Sequence, residues 1–304
     1  MSFSLKQIRY FIAAAETGQV SHAAVELNIS QSAVTSAIQQ LETNLGMRLL
    51  DRNPSGVTLT PEGSRFLLHA HNVMAAVDEA RRVPSTAHES INGRVRVGLT
   101  YTVAGYFLPS QHARFVRNFP YVAIDLFEAP RQEIEQALLD GALDIAVMLI
   151  SNLGASDRLQ SETLIRSRRR LWTPTDHPLL QRSEIGVADV AGYPYVMLTV
   201  DEASKTAHRY WARTQHEPNV IFTTSSVEAV RSMVAAGMGV TILSDMVYRP
   251  WSLEGQRIET RILTDEIPTM DVGLAWVRGG QFSEATRAFH DFLLMAYTGG
   301  AMSR

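Results

Sequence analysis

Apolar residues recur at helical spacing through the first sixty positions. Leu5, Ile8, Phe11, Ile12 and Ala15 share one face, and Gly18 is placed to end that helix. Ser21 reads as the N-cap of a second short helix holding Ala24, Val25 and Leu27. Asn28 and Ile29 make a tight connection. Ser30 caps a third helix with Val34, Ala37, Ile38, Leu41 and Leu45 on its apolar face, closed by Gly46. Two short helices joined by so few residues form a helix-turn-helix or a generic helical hairpin. The turn cluster Asn53-Pro54-Ser55-Gly56 within 48–60 then predicts a small β-hairpin, a wing.

Thr60 and Pro61 are a cap and first-turn residue for a helix over 61–83. Leu67, Ala70, Met74 and Val77 recur along it at spacings close to a coiled-coil seam. Such a stripe needs a partner: a second copy of itself, or its own domain. The polar, punctuated stretch 84–93 reads as a linker.

From Gly93 the pattern alternates between strand and helix. Strands are expected at 94–100, 122–129 and 143–150, with helices at 103–118 and 131–140 between them. A second set follows, with strands at 169–174, 195–198, 219–224, 239–244 and 270–277. Its helices fall near 202–214, 226–236 and 283–297. The run predicts two small, largely parallel α/β subdomains with a cleft between them.

Composition narrows the chemistry. The chain has 304 residues, a length suited to about two domains, and 45% of them are apolar, which excludes a disordered chain. There is no cysteine, which removes disulfides, thiolate catalysis and cysteine-based zinc sites. The formal net charge is −3, so any nucleic-acid contact has to be local. No apolar run approaches the roughly 20 residues that span a bilayer, and the charged N-terminus is unlike a signal peptide, so no membrane contact and a cytoplasmic location are expected.

Sequences typical of nucleotide loops, nucleophile elbows and zinc helices are missing, and no cofactor or metal is expected. What remains is binding at the carboxyl ends of strands, where helix starts offer unpaired N–H groups. Thr100, Tyr101 and Thr102 stand there after the first strand, and Thr199, Thr223 and Ser225 in the second set. Arg131 follows the second strand. Hydroxyls, helix dipoles and an arginine suit a small carboxylate, with Met148 and Leu149 as apolar wall. Each hydroxyl has simple N-capping as its alternative role.

The N-terminal segment resembles the winged helix-turn-helix of LysR-type transcriptional regulators. The resemblance rests on Ala23-Ala24 with Leu27, Ser30-Gln31-Ser32-Ala33-Val34, Ile38-x-x-Leu41-Glu42, Leu45-Gly46, Leu49-Leu50-x-Arg52 and Leu59-Thr60-Pro61-x-Gly63. Residues 234–244 (VAAGMGVTILS) and 141–148 (GALDIAVM) are similar to that family's effector domain, so the likeness extends over essentially the whole chain.

The resemblance implies an α+β multidomain protein that is not an enzyme. A winged helix-turn-helix would occupy 1–60 and a dimerising helix and hinge 61–92. An effector domain similar to periplasmic binding proteins would fill 93–304. Its subdomain I would be 93–165 and 268–304, and its subdomain II 166–267, with hinge crossovers near 165–168 and 264–268.

It further implies a sequence-specific transcription factor on promoter DNA with an interrupted palindrome, responding to a small effector, and self-associating as a dimer and a tetramer. The DNA-facing set would be Ser21, Ser30, Gln31, Ser32, Thr35, Ser36, Gln39 and Arg52. The alternative is an α/β binding protein or enzyme with an accessory helical domain.

There are departures from the family pattern. Ser32 stands where the family often has Pro, Thr35 where it has Ser, Ser36 where it has Arg, and Leu50 where it has Phe. Leu149 replaces a frequent charged group, and Ser244 replaces a Pro. Through residue 65 five positive and five negative residues cancel, so DNA binding would lean on dimer avidity, helix ends and hydroxyl or amide readout.

Overall fold

In the computed structural model the described residues are 3–53, 56–60, single positions between 62 and 77, 91–153 and 157–298. The chain separates into two compact units, 1–84 and 85–304.

The first unit opens with α1 (Leu5–Thr17), α2 (Val20–Glu26) and α3 (Gln31–Leu45). Ser4 caps α1 through a reciprocal bond with Gln7, and Gly18 ends it in the left-handed conformation at φ 69°. Ile8, Phe11, Ala14, Ala23, Val34, Ile38 and Leu41 make a closed apolar centre.

Two details differ from the sequence reading. Helix α2 begins at Val20, because Gln19 is extended after the Gly18 turn; Ser21 therefore lies inside the first turn and is not the cap. Val25 is 81% exposed, since the small residues Ala23 and Ala24 form the buried face of this short helix.

Strands β1 (Leu50–Asn53) and β2 (Gly56–Leu59) pair antiparallel as the wing, with Leu50 opposite Leu59. Gly56 sits at φ 137°, and a Cβ there would collide with the Gly18 carbonyl; Val57 N–H donates to that same carbonyl at 2.8 Å. The wing is thus fastened to the α1–α2 turn. The Thr60 hydroxyl donates to the Arg48 carbonyl (2.7 Å) and accepts from Gly63 N–H (2.9 Å), a cap at the start of the connecting helix.

Positions described between 62 and 77 are helical. Of the expected seam, Ala70 is buried against the α1–α3 core, and Leu67 and Met74 are partly covered by it. Most of the expected linker 84–93 lies outside the described residues.

The second unit holds β3 (Gly93–Leu99), α4 (Tyr101–Tyr106), α5 (Leu108–Asn118), β4 (Val122–Glu128), α6 (Arg131–Leu139), β5 (Ile145–Leu149) and β6 (Leu159–Ser167). There follow β7 (Arg169–Pro174), α7 (Val187–Val190), β8 (Pro194–Leu198), α8 (Ala203–Trp211), β9 (Asn219–Thr224) and α9 (Val227–Ala235). The last elements are β10 (Thr241–Ser244), β11 (Ile258–Arg261), β12 (Met270–Val277) and α10 (Glu284–Thr298).

One sheet has the order β4-β3-β5-β12-β6, with β3 parallel to both neighbours and β12 antiparallel to β5 and β6. The other region contains β10-β7-β11 and the parallel pair β8-β9, joined by a bridge between Tyr195 and Val240. Each sheet has its own apolar core: Phe115, Phe289 and Leu274 in the first, Tyr195, Trp211 and Leu171 in the second.

The single helix expected over 103–118 is two helices broken at Phe107. Pro109 has no N–H to continue a ladder, and it sits instead in the first turn of α5. Chain passes between the sheets at Arg168, between β6 and β7, and again between β11 and β12. There Ser244, the departure at the effector signature, is buried and donates to Ser167 Oγ at 2.7 Å.

Candidate DNA interface and effector cavity

Helix α3 divides its residues cleanly. Val34, Ile38 and Leu41 are buried; Gln31, Ser32, Ser36 and Gln39 are exposed, and Thr35 is half-buried. These five lie on the opposite face at spacings of three and four, so one polar strip runs along the helix. Ser30 caps it by accepting from Ala33 N–H (3.2 Å), and its hydroxyl lies 3.1 Å from that of Ser32. Ser21 is exposed on α2. Only the backbone of Arg52 is described; it lies in β1 opposite Val57.

Glu42 faces the other way. Its Oε1 accepts from Leu49 N–H (2.7 Å) and Leu50 N–H (3.1 Å), joining α3 to the wing. The Gln and Ser/Thr side chains of the strip suit base edges: Gln fits adenine, and the hydroxyls accept more than one base.

In the second unit a cavity of about 530 Å³ opens between the two sheets. Thr100, Tyr101, Arg131, Leu149, Thr199 and Ser225 line it, six of the nine residues that the sequence placed there. Thr102, Met148 and Thr223 do not. Met148 and Leu149 are neighbours on β5, so they face opposite sides of the sheet; Met148 packs with Ile134, Leu138 and Ala275. Thr223 is exposed on β9. The Thr102 side chain is buried, and the residue contributes its backbone amide instead.

That amide donates to Asp201 Oδ2 at 2.7 Å. Arg131 Nε and Nη2 donate to the two oxygens of Glu202 at 3.0 and 3.1 Å, and its Nη1 to Glu135 at 2.6 Å. The Arg131 bonds push the Glu202 carboxyl down to about 2, and the two carboxylates raise the Arg131 pKa above its ordinary value. Lys205 Nζ adds a 3.0 Å contact to Glu202. The Thr100 hydroxyl, in a residue only 2% exposed, has no hydrogen-bond partner among the described residues.

The sequence reading missed Asp201, Glu202, Lys205 and Asn152 in this wall. Thr199 follows β8 as Thr100 follows β3, and Asp201 and Glu202 stand two and three residues beyond it, so the strand-end rule applied to Thr199 could have reached them. Among the described residues no group of three or more metal-ligating side chains occurs, and no helix is long and apolar enough to cross a membrane.

The helix-turn-helix model of the lysR family of bacterial regulators matches residues 5–64, and the LysR substrate-binding domain model matches residues 88–297. The chain belongs to the LysR family. It is 28% identical over 304 residues to the uncharacterized HTH-type transcriptional regulator YnfL of Escherichia coli K12, covering 97% of this chain and 99% of the relative. It is also 28% identical to the hydrogen peroxide-inducible genes activator of Pectobacterium carotovorum, over 79% of each chain.

Among solved structures it is similar to HinK, a LysR family transcriptional regulator from Pseudomonas aeruginosa. The TM-score is 0.61 at 26% identity, covering 96% of this chain and 98% of HinK. The helix-turn-helix and the mixed α/β effector domain of this LysR protein are those of a transcriptional regulator.

Proposed function

We propose that this LysR regulator binds promoter DNA through the polar strip of α3 and responds to a small organic acid held in the cavity between its two effector-domain sheets. Gln31, Thr35 and Ser36 face the major groove, Ser21, Ser30, Ser32 and Gln39 complete the DNA-facing set, Arg52 contacts the backbone or the minor groove, and two copies joined through the 61–83 helix read an interrupted palindrome. Tetramers form through the effector domains, and the protein works in the cytoplasm.

The divisions are 1–60, 61–92 and 93–304, with the crossovers near 165–168 and 264–268 acting as the hinge. The protein carries no catalytic step and needs no cofactor. Ligand binding shifts the balance between protomer arrangements and so changes DNA spacing or bend.

The observation that carries the effector half is the unpaired, buried Thr100 hydroxyl in the cavity wall, beside an amide and a guanidinium that both hold carboxylates. The test uses Leu149→Trp, which fills the cavity from β5. In cells, a reporter driven by the protein's own upstream DNA should lose its response to the inducing condition, while a gel shift on the same DNA is unchanged. A retained response with Leu149→Trp places the effector elsewhere. Absence of any shift on upstream DNA by the parent protein removes the DNA half.

A further inference from the structure

Two anion-seeking groups, Arg131 in the cavity wall and the Thr102 amide behind it, are occupied by the chain itself. Thr102 N–H holds the Asp201 carboxylate, and Arg131 forks onto both oxygens of Glu202. These carboxylates belong to consecutive residues. Both have left-handed backbones, Asp201 at φ 49° and Glu202 at φ 62°. A residue other than glycine keeps that conformation only where its surroundings hold it.

The holding contacts cross the cleft. Thr102, Arg131 and Asn152 belong to the β3–β5 side, whereas Asp201 and Glu202 follow β8; Asn152 Nδ2 donates to the Asp201 carbonyl at 2.8 Å. Thr100 lines the same space, and its buried hydroxyl takes no part and has no partner among the described residues. The arrangement has two carboxylates seated on two anion-seeking groups, a third polar group waiting, and a strained segment pressed into place.

We propose that Asp201 and Glu202 are a tethered stand-in for the effector: they fill the two anion seats of the cavity, and a small dicarboxylate displaces them. The proposal rests on the reading of the cavity as the effector site and names the class of ligand. A ligand with two acid groups takes the Thr102 amide and Arg131 together and also reaches Thr100. A monocarboxylate takes one seat and leaves the other plugged. Displacement frees the 201–202 segment from its left-handed path and replaces its cross-cleft contacts with ligand-borne ones, so binding and cleft rearrangement become one event. Because the competitor is tethered, it acts at high effective concentration and sets the threshold at which the regulator responds.

Calorimetric titration of the full chain with succinate and with acetate tests this. Asp201→Gly/Glu202→Gly removes both carboxylates and leaves residues that accept positive φ without strain. It should bind succinate at least ten-fold tighter than the parent does, with a smaller gain for acetate. Asp201→Asn/Glu202→Gln keeps the side-chain shapes but not the charges, and it should gain in the same order.

Unchanged or weaker succinate affinity in both folded variants overturns the proposal, as does an equal gain for acetate. If Leu149→Trp abolishes the cellular response yet neither variant gains succinate affinity, the cavity stands and the stand-in falls. If Leu149→Trp leaves the response intact, both fall.

Discussion

The polar strip of α3 and the cavity of the effector domain treat their polar groups in opposite ways. On α3, Gln31, Ser32, Ser36 and Gln39 stand exposed. In the cavity, Arg131, Asp201 and Glu202 are bonded to one another or to the backbone across the cleft. A surface that meets DNA can leave its groups in water until the duplex arrives, at little cost. A half-closed cavity cannot leave a charge unpaired, because a desolvated ion without a partner is expensive. The contrast shows where each region can be tuned: the first by changing single side chains, the second only by changing partners together.

The largest expected effect separates the two regions as folding units. Phe11 is fully buried and meets Phe66 edge-to-face at 5.3 Å. Phe11→Ala should cost the first unit about 3–5 kcal/mol. Scanning calorimetry should show an early transition for residues 1–84 and an unmoved one for the remainder; a shift of both transitions together would mean that the units do not melt separately.

Acid should act on the second region through Glu202. Glu202 has its folded pKa depressed to about 2, from an ordinary value of 4.5. Its stabilisation is therefore complete above about pH 4.5 and is lost as pH falls toward 2, a change of about 2–3 kcal/mol. In Glu202→Gln the acid-induced loss of effector-domain stability should be shallower over that window. Parallel pH curves for the two proteins would rule out the Arg131 pair as its source.

The next effect belongs to the strip. Gln31→Ala should relax base preference at one or two positions of each half-site, costing about 1–3 kcal/mol of discrimination. An unchanged binding-site selection profile would show that the reading register lies elsewhere on α3. The smallest effect concerns Ser36. Ser36→Arg adds a cation to a domain with no net charge, and should steepen the salt dependence of DNA binding by about one counterion. A titration slope equal to that of the parent would mean that position 36 does not approach phosphate.

Legibility in the sequence followed the same division. Helices α1–α3 and the wing rest on neighbouring residues: Ser30 capping Ala33, Gly18 ending α1, Leu50 opposite Leu59. Such signals lie within a turn or a hairpin and can be read directly. Strands β6 and β11 were not expected. LQSETLIRS and IETR bury few apolar side chains, and each strand lies at a sheet edge with one neighbour, so neither has an apolar run to announce it.

In the cavity, the strand-end rule brought Thr100, Tyr101, Thr199 and Ser225 to one place. It could not show that Arg131 meets Glu202, 71 residues away, or that the Thr102 amide meets Asp201, 99 away. Only Glu135, one helical turn beyond Arg131, was within reach of spacing.

Glu42 sets a limit on how this regulator can adapt to different promoters. A single carboxylate oxygen grips the two amides that begin the wing, and the wing in turn is fastened to the α1–α2 turn through Gly18. Helix α3 and the wing are therefore held as one stamp, and on the proposed reading they would meet the duplex with a fixed offset between groove contact and flanking contact. If α3 and the wing read each half-site as proposed above, operators that differ within a half-site would be rejected by this stamp. Genes brought under such a regulator would then share the half-site closely.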